Sequence, residues 1–244
     1  MILKAANIKK YYYNSESVIK AVDGININVE KGDFIAVMGQ SGSGKSTLLK
    51  CLATFIPIDS GELIIDGNQI NYKNRKSLLE TRRHDIGYIF QDYNLLEHLT
   101  VEENMILPLI ISGNIGKAEL RDKVEKLAGE LGIGDLLYKY PGEISGGQKQ
   151  RCACARALIT SPQIVFADEP TGALDSKSSE KFLELIYELN KNLGTTIIMA
   201  THNIIAASYT KRTVFLKDGK IIEQINRQDG HSYKDSIVQT VAFN

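Results

Sequence analysis

Residues Gly39 to Ser46, read Gly-Gln-Ser-Gly-Ser-Gly-Lys-Ser, match the spacing G-x-x-x-x-G-K-[ST] directly after the apolar run Phe34-Ile-Ala-Val-Met38. A strand that ends in such a loop and continues as a helix is a phosphate cradle. Its glycines let successive backbone N–H groups turn inward around an anionic oxygen. Leu48, Leu49 and Leu52 recur behind the loop at helical spacing, so the positive end of a helix dipole faces the bound anion. In this frame Lys45 reaches the outer phosphates and the Ser46 hydroxyl is suited to ligate Mg²⁺. Gly39, Gln40, Ser41, Gly42, Ser43, Gly44 and Thr47 make up the rest of the phosphate-contacting stretch.

The chain has 244 residues, 43% of them hydrophobic, enough for one large domain or one domain with an inserted lobe. Lys and Arg total 29 against 29 Asp and Glu, so the formal net charge is zero and no global basic field draws in nucleic acid. The longest apolar run, Met105 to Ile111, contains Pro108 and falls far short of the roughly 20 residues that span a bilayer. A soluble chain is expected, and the N-terminal residues lack the pattern of a signal peptide, which makes the cytoplasm the expected compartment. Three cysteines, Cys51, Cys152 and Cys154, give an odd count without metal-ligand spacing and are expected to be small buried thiols.

Leu3–Ile8 and Val18–Val22 read as β-structure, and Ile25, Ile27 and Val29 alternate with polar neighbours, the pattern of a half-buried antiparallel sheet. Further strands are expected at 61–67, 86–90, 163–168 and 195–200, with a hairpin turned by Asp218-Gly219. From Asp92 to about Thr160 the pattern becomes helical. Thr100-Val-Glu-Glu103 reads as a capping box, and Leu120, Val124, Leu127 and Leu131 mark a helix. Strands alternating with helices imply a mainly parallel α/β sheet, here with an antiparallel β part at the N-terminus and an inserted helical lobe over about 92–160.

Ile164-Val-Phe-Ala-Asp168-Glu169 is a buried strand that delivers two carboxylates at its C-terminal end. Beside a phosphate cradle, Asp168 would hold Mg²⁺, and Glu169, one residue on and facing elsewhere, would polarise an attacking water. Ser145-Gly-Gly-Gln148 opens a helix with the chemistry of a second anion site, although an ordinary Ser cap reads equally well.

Taken together, the cradle, Gln91, Ser145 to Gln148, Asp168 with Glu169, Ala173-Leu-Asp175 and His202 resemble, in order and over the whole chain, the ATPase subunit of an ABC transporter. Two positions depart from the usual wording: Ile144 stands where leucine is usual, and Gly172 where serine is frequent. The resemblance implies a P-loop NTPase fold of ABC type extending over residues 1–244, with ATP and Mg²⁺ as cofactors. It implies that Ser46 and Gln91 ligate Mg²⁺ with Asp168, that Glu169 activates water and that His202 contacts the γ-phosphate. Ser145, Gly146, Gly147 and Gln148 would close on ATP held by a second copy, in a head-to-tail dimer. Adenine in this family stacks on an aromatic residue after the first strand. Tyr11, Tyr12 and Tyr13 compete for that role, and spacing from Asn7 and Lys10 favours Tyr12.

Within the family, the wording around Gln91, Ser145 and Asp168 is most similar to the antimicrobial-peptide resistance ATPases of Gram-positive bacteria. Macrolide-efflux and lipoprotein-release ATPases share much of it. That placement implies a membrane permease as partner, a sensor kinase reached through the permease, and a position on the cytoplasmic face of the membrane, without nucleic acid. Tyr93 to Leu99 would form the groove that receives a permease helix. A nucleic-acid ATPase of the same family is disfavoured by the single motif set and zero net charge. A GTPase is disfavoured because Leu193 stands where an N-K-x-D motif at Asn190-Lys191 needs a carboxylate.

Overall fold

The computed structural model describes residues 1–15, 17–113, 116–227 and 232–243. β1 (Leu3–Tyr13) and β2 (Val18–Val29) form an antiparallel hairpin pairing Leu3 with Val29 and Tyr13 with Val18. The period-two pattern holds in pieces: Leu3 and Ala5 on β1 and Ile25, Ile27 and Val29 on β2 are buried, and a register shift between Ala5 and Ile8 brings Ile8 back to the buried face. β2 runs unbroken where the pattern suggested two pieces. β3 (Phe34–Met38) follows and leads through the cradle into α1 (Lys45–Leu52). β4 (Ser60–Ile65) and β5 (Asn68–Gln69) return to the antiparallel sheet, whose order is β2-β1-β4-β5.

After α2 (Arg75–His84) comes β6 (Ile86–Ile89). The chain then carries α3 (Val101–Ser112), α4 (Lys117–Glu130) and α5 (Gly146–Leu158) before β7 (Ile164–Asp168). The remaining elements are α6 (Ser176–Leu193), β8 (Thr196–Thr201), α7 (Ile204–Ser208), β9 (Arg212–Lys217), β10 (Lys220–Asn226) and α8 (Tyr233–Phe243). The second sheet has six strands in the order β10-β9-β3-β8-β7-β6, with β10 antiparallel and its other pairings parallel.

Helices and the first sheet cover this second sheet on its two sides, which is why its central strands are apolar without alternation. On β7, Val165 and Ala167 pack with Phe182 and Ile186 of α6 and with the helices before β7. Ile164 and Phe166 face the other way, toward Leu48 and Leu52 of α1 and the antiparallel sheet. α5 lies close on β6 because Gly87 has no side chain: a Cβ there would stand 2.3 Å from the Ala157 carbonyl oxygen. The Thr100 capping box is present, with Glu103 N–H donating to Thr100 Oγ1 and Thr100 N–H to the Glu103 carboxylate.

All three cysteines are buried and unpaired, and burial pushes their thiols up to about 12, which keeps them protonated and unreactive. Asn190 donates to the carbonyls of Gly32 and Thr195 at 3.0 and 2.8 Å and is buried, so it ties α6 to the sheet rather than facing a base edge.

Candidate active site

Adjacent parallel strands deliver the candidate groups at one edge of the sheet. β3 ends at the cradle, β8 at Thr201 before His202, β7 at Asp168, and β6 just before Gln91. In an open parallel sheet this carboxyl edge is where ligands bind. A cavity of about 710 Å³ lies there, lined by the cradle together with Tyr12, Gln91, Glu169 and His202.

The cradle needs its glycines for different reasons. Gly44 has φ 103°, and a Cβ on it would stand 2.0 Å from the Ala21 carbonyl oxygen, so the loop rests directly on β2. Gly39 is pinned in the same way: a Cβ on it would stand 2.2 Å from the Leu216 carbonyl oxygen. Lys45, only 6% exposed, donates from Nζ to the carbonyls of Gly39 and Gln40, each at 2.9 Å. Ser43 is buried in the loop, while Gln40, Ser41 and Gly42 are exposed on it, and Ser46 and Thr47 open α1 toward the cavity.

Asp168 is buried and both carboxylate oxygens are engaged. Ser46 Oγ donates to Oδ1 at 2.7 Å and the Tyr88 hydroxyl donates to Oδ2 at 3.2 Å. Tyr88 is a contact that sequence reasoning missed. It sits on β6 in a run that reads only as a buried strand, and pairing with β7 alone brings it to Asp168. Burial, then the Asp168 charge, pushes its phenol up, so it stays protonated and donates.

Glu169 departs from regular backbone at φ 46°, which is uncommon for a residue with a side chain and turns its carboxylate away from Asp168. Its N–H donates to the Ala200 carbonyl at 3.0 Å, which fixes the turn. Glu169 Oε2 lies 2.9 Å from His202 Nδ1 and Oε1 lies 3.6 Å from Lys45 Nζ. The carboxylate is thus held between a cation and an imidazole at the mouth of the cradle.

Of the three tyrosines, Tyr12 lines the cavity and is exposed, while Tyr11 turns its hydroxyl to Asp23 at 2.5 Å. That bond, ahead of burial and the Asp23 charge, pushes the Tyr11 phenol up to about 12. Tyr13 is exposed and does not line the cavity.

Ser145 to Gln148 lie elsewhere. Ser145 caps α5, with Gln148 N–H donating to its hydroxyl and Gln148 Oε1 accepting from the Ser145 N–H. The turn packs against the loop after β7: a Cβ on Gly147 would stand 3.4 Å from Ser178, and one on Gly146 3.7 Å from Leu174. Among the residues lining the cavity, none comes from this turn. Gly172, where serine is frequent in the family, makes room for Gln91, whose Nε2 would lie 3.1 Å from an added Cβ.

Residues 22–172 match the ABC transporter family. The chain is 47% identical over 228 residues to the bacitracin export ATP-binding protein of Halalkalibacterium halodurans, covering 93% of this chain and 90% of that protein. It is 42% identical over 226 residues to the lipoprotein-releasing system ATP-binding protein of Aquifex aeolicus, covering 93% of this chain and 98% of that one. Among solved structures, it is similar to an ATP-binding cassette determined as a dimer in a post-hydrolysis state with ADP and Pi. The TM-score is 0.85 at 37% identity, covering 93% of this chain and 99% of that one. A phosphate cradle, paired carboxylates and a histidine brought to one sheet edge, in a chain with these relatives, identify it as a member of the ABC transporter family, an ATP-hydrolysing transporter subunit.

Proposed function

We propose that the chain works as a homodimer that sandwiches two ATP molecules and drives a membrane permease in resistance to antimicrobial peptides of the bacitracin type. The observation that carries the dimer is the separation within one copy between the cavity and the Ser145–Gln148 turn, which is exposed at Ser145 and Gly146. An anion-binding helix N-terminus with no anion site of its own chain beside it makes sense if it closes on nucleotide held by the second copy. The peptide-resistance reading rests on the 47% identity to the bacitracin relative, against 42% for the lipoprotein-releasing one.

In the closed site, Lys45 neutralises the β- and γ-phosphates. Water attacks the γ-phosphorus in line, its oxygen bonding to phosphorus as the bond to the ADP oxygen breaks and its proton passing to Glu169. His202 holds the Glu169 carboxylate through Nδ1, 2.9 Å away, and its ring meets the γ-phosphate at the mouth of the cradle. Ser46 Oγ and Asp168 Oδ1, 2.7 Å apart, with Gln91 on the same cavity, are the hard oxygen donors that suit Mg²⁺. Bound there, the ion would neutralise phosphate oxygens.

At limiting protein, hydrolysis by a sandwich dimer should rise with the square of enzyme concentration, and phosphate release across a dilution series measures this. A strictly linear dependence down to nanomolar protein would overturn the dimer. In cells, deletion of the gene should raise bacitracin sensitivity, restored by the wild-type chain and not by Glu169→Gln. Unchanged sensitivity, with a lipoprotein-sorting defect instead, would move the chain to the lipoprotein-releasing branch.

Tyr12 supplies the adenine platform in this reading, and base-on-aromatic stacking is worth about 1–3 kcal/mol. Tyr12→Ala should therefore raise the KM for ATP about tenfold with kcat nearly unchanged. If Tyr13→Ala does this and Tyr12→Ala does not, the base sits on the other tyrosine.

A further inference from the structure

Tyr93 lies two residues past Gln91, in the stretch expected to meet the permease. Tyr93 and Asn94 both adopt left-handed backbone, at φ 60° and 49°. For residues with side chains this persists only where the surroundings fix it. Here the helices do so. Arg156 on α5 donates to the Tyr93 carbonyl at 2.7 Å and to the Asn94 carbonyl. Asn104 on α3 accepts from the Leu96 N–H at 2.8 Å and donates to the Leu96 carbonyl at 3.0 Å.

With its backbone fastened to α5, the Tyr93 side chain reaches the other way. Its hydroxyl donates to the Ala173 carbonyl at 3.3 Å, in the loop between β7 and α6. The same oxygen would stand 3.0 Å from a Cβ on Gly146, so the phenol occupies the space that a side chain at 146 would need. One side chain therefore touches the turn that opens α5 and the loop that ends in Asp175, and its backbone belongs to the segment after Gln91.

We propose that Tyr93 is a positioning residue for the ATP-bound dimer: its hydroxyl fastens the 171–175 loop behind the Ser145–Gly147 turn, so that this turn meets the second copy in one arrangement. This rests on the homodimer reading. It also gives a displacement at the Tyr93 backbone a direct route to the turn that opens α5, through Arg156, and to the loop before α6, through the phenol on Ala173. Such a bond acts on assembly and leaves nucleotide binding by the single copy alone, since Tyr93 does not line the cavity.

The test uses Glu169→Gln, which should accumulate the dimer with ATP, as the parent. Sedimentation velocity with ATP is compared between this parent and the parent carrying Tyr93→Phe. Phenylalanine keeps the ring beside Gly146 and removes only the hydrogen bond. The dimer dissociation constant should rise about fivefold, the scale of one neutral hydrogen bond, while ATP affinity of the monomer stays unchanged. An unchanged dimer constant, with the parent dimerising normally, overturns the role of Tyr93 alone. A parent that stays monomeric with saturating ATP overturns the homodimer reading and this inference with it.

Discussion

Glu169→Gln is expected to bind ATP, accumulate as a dimer and lose roughly three orders of magnitude in turnover, the scale at which a positioned general base contributes. Glutamine has the same shape and can still meet His202 Nδ1 through its amide. It cannot take the proton from the attacking water. It also removes the carboxylate that lies 3.6 Å from Lys45 Nζ in a pair only 7% and 13% exposed at the side chains. In the wild-type chain that negative charge lies beside the place the γ-phosphate must take, so its loss should leave ATP affinity equal or higher. Phosphate release and gel filtration with ATP measure the two effects separately. Turnover within tenfold of wild type would remove Glu169 from the role of base. Turnover lost together with ATP binding would assign it to holding Lys45 instead.

The left-handed backbone at Glu169 gives this prediction a structural basis. Asp168 ends a regular strand, buried and held by Ser46 and Tyr88, while Glu169 turns out of the strand toward Lys45 and His202. The adjacent carboxylates thereby acquire different partners, one set suited to a metal and one to a proton. A substitution that forced residue 169 back to extended backbone would separate it from His202.

Features set by consecutive residues were legible in the sequence. The cradle, the strand that delivers Asp168 and the capping box at Thr100 each follow from a short spacing read against one element. The order of the strands was not legible, yet it is what puts Gln91, Asp168, the cradle and His202 at one sheet edge. The same holds for Tyr88 and Tyr93. Each makes its contact across 80 positions of chain, with Asp168 and Ala173 respectively, and nothing near either in sequence marks it. α2 escaped notice for another reason. It buries only Leu78 and Thr81, so no apolar period runs along it; only Asn74, which accepts the Ser77 N–H, announces its start. The family wording supplied roles that spacing alone left open at Tyr12 and at Ser145, where an ordinary cap was an equal reading and where a capping box is in fact found.

Lys45→Ala should reduce ATP affinity about a hundredfold or more, since hydrogen bonds to charged groups contribute about 1.5–3 kcal/mol each and Lys45 serves two phosphates. Its side chain is buried along the loop, and Nζ donates to the carbonyls of Gly39 and Gln40. Truncation therefore removes both the cation and two internal bonds of the cradle, and a nucleotide series separates these effects. If the charge is what matters, ATP should lose most, ADP roughly half of that in free energy, and AMP almost nothing, because AMP has no phosphate for Nζ to meet. If the loop has collapsed instead, AMP should weaken as much as ATP. The glycine packing argues against collapse. Gly39 rests on the Leu216 carbonyl and Gly44 on the Ala21 carbonyl, contacts made by backbone on backbone that do not involve the Lys45 side chain. Lys45→Arg should not rescue binding fully: the planar guanidinium is larger and presents its donors in a rigid fork, where the cradle is closed around a compact ammonium. Isothermal titration with the three nucleotides, on both variants, gives the pattern directly.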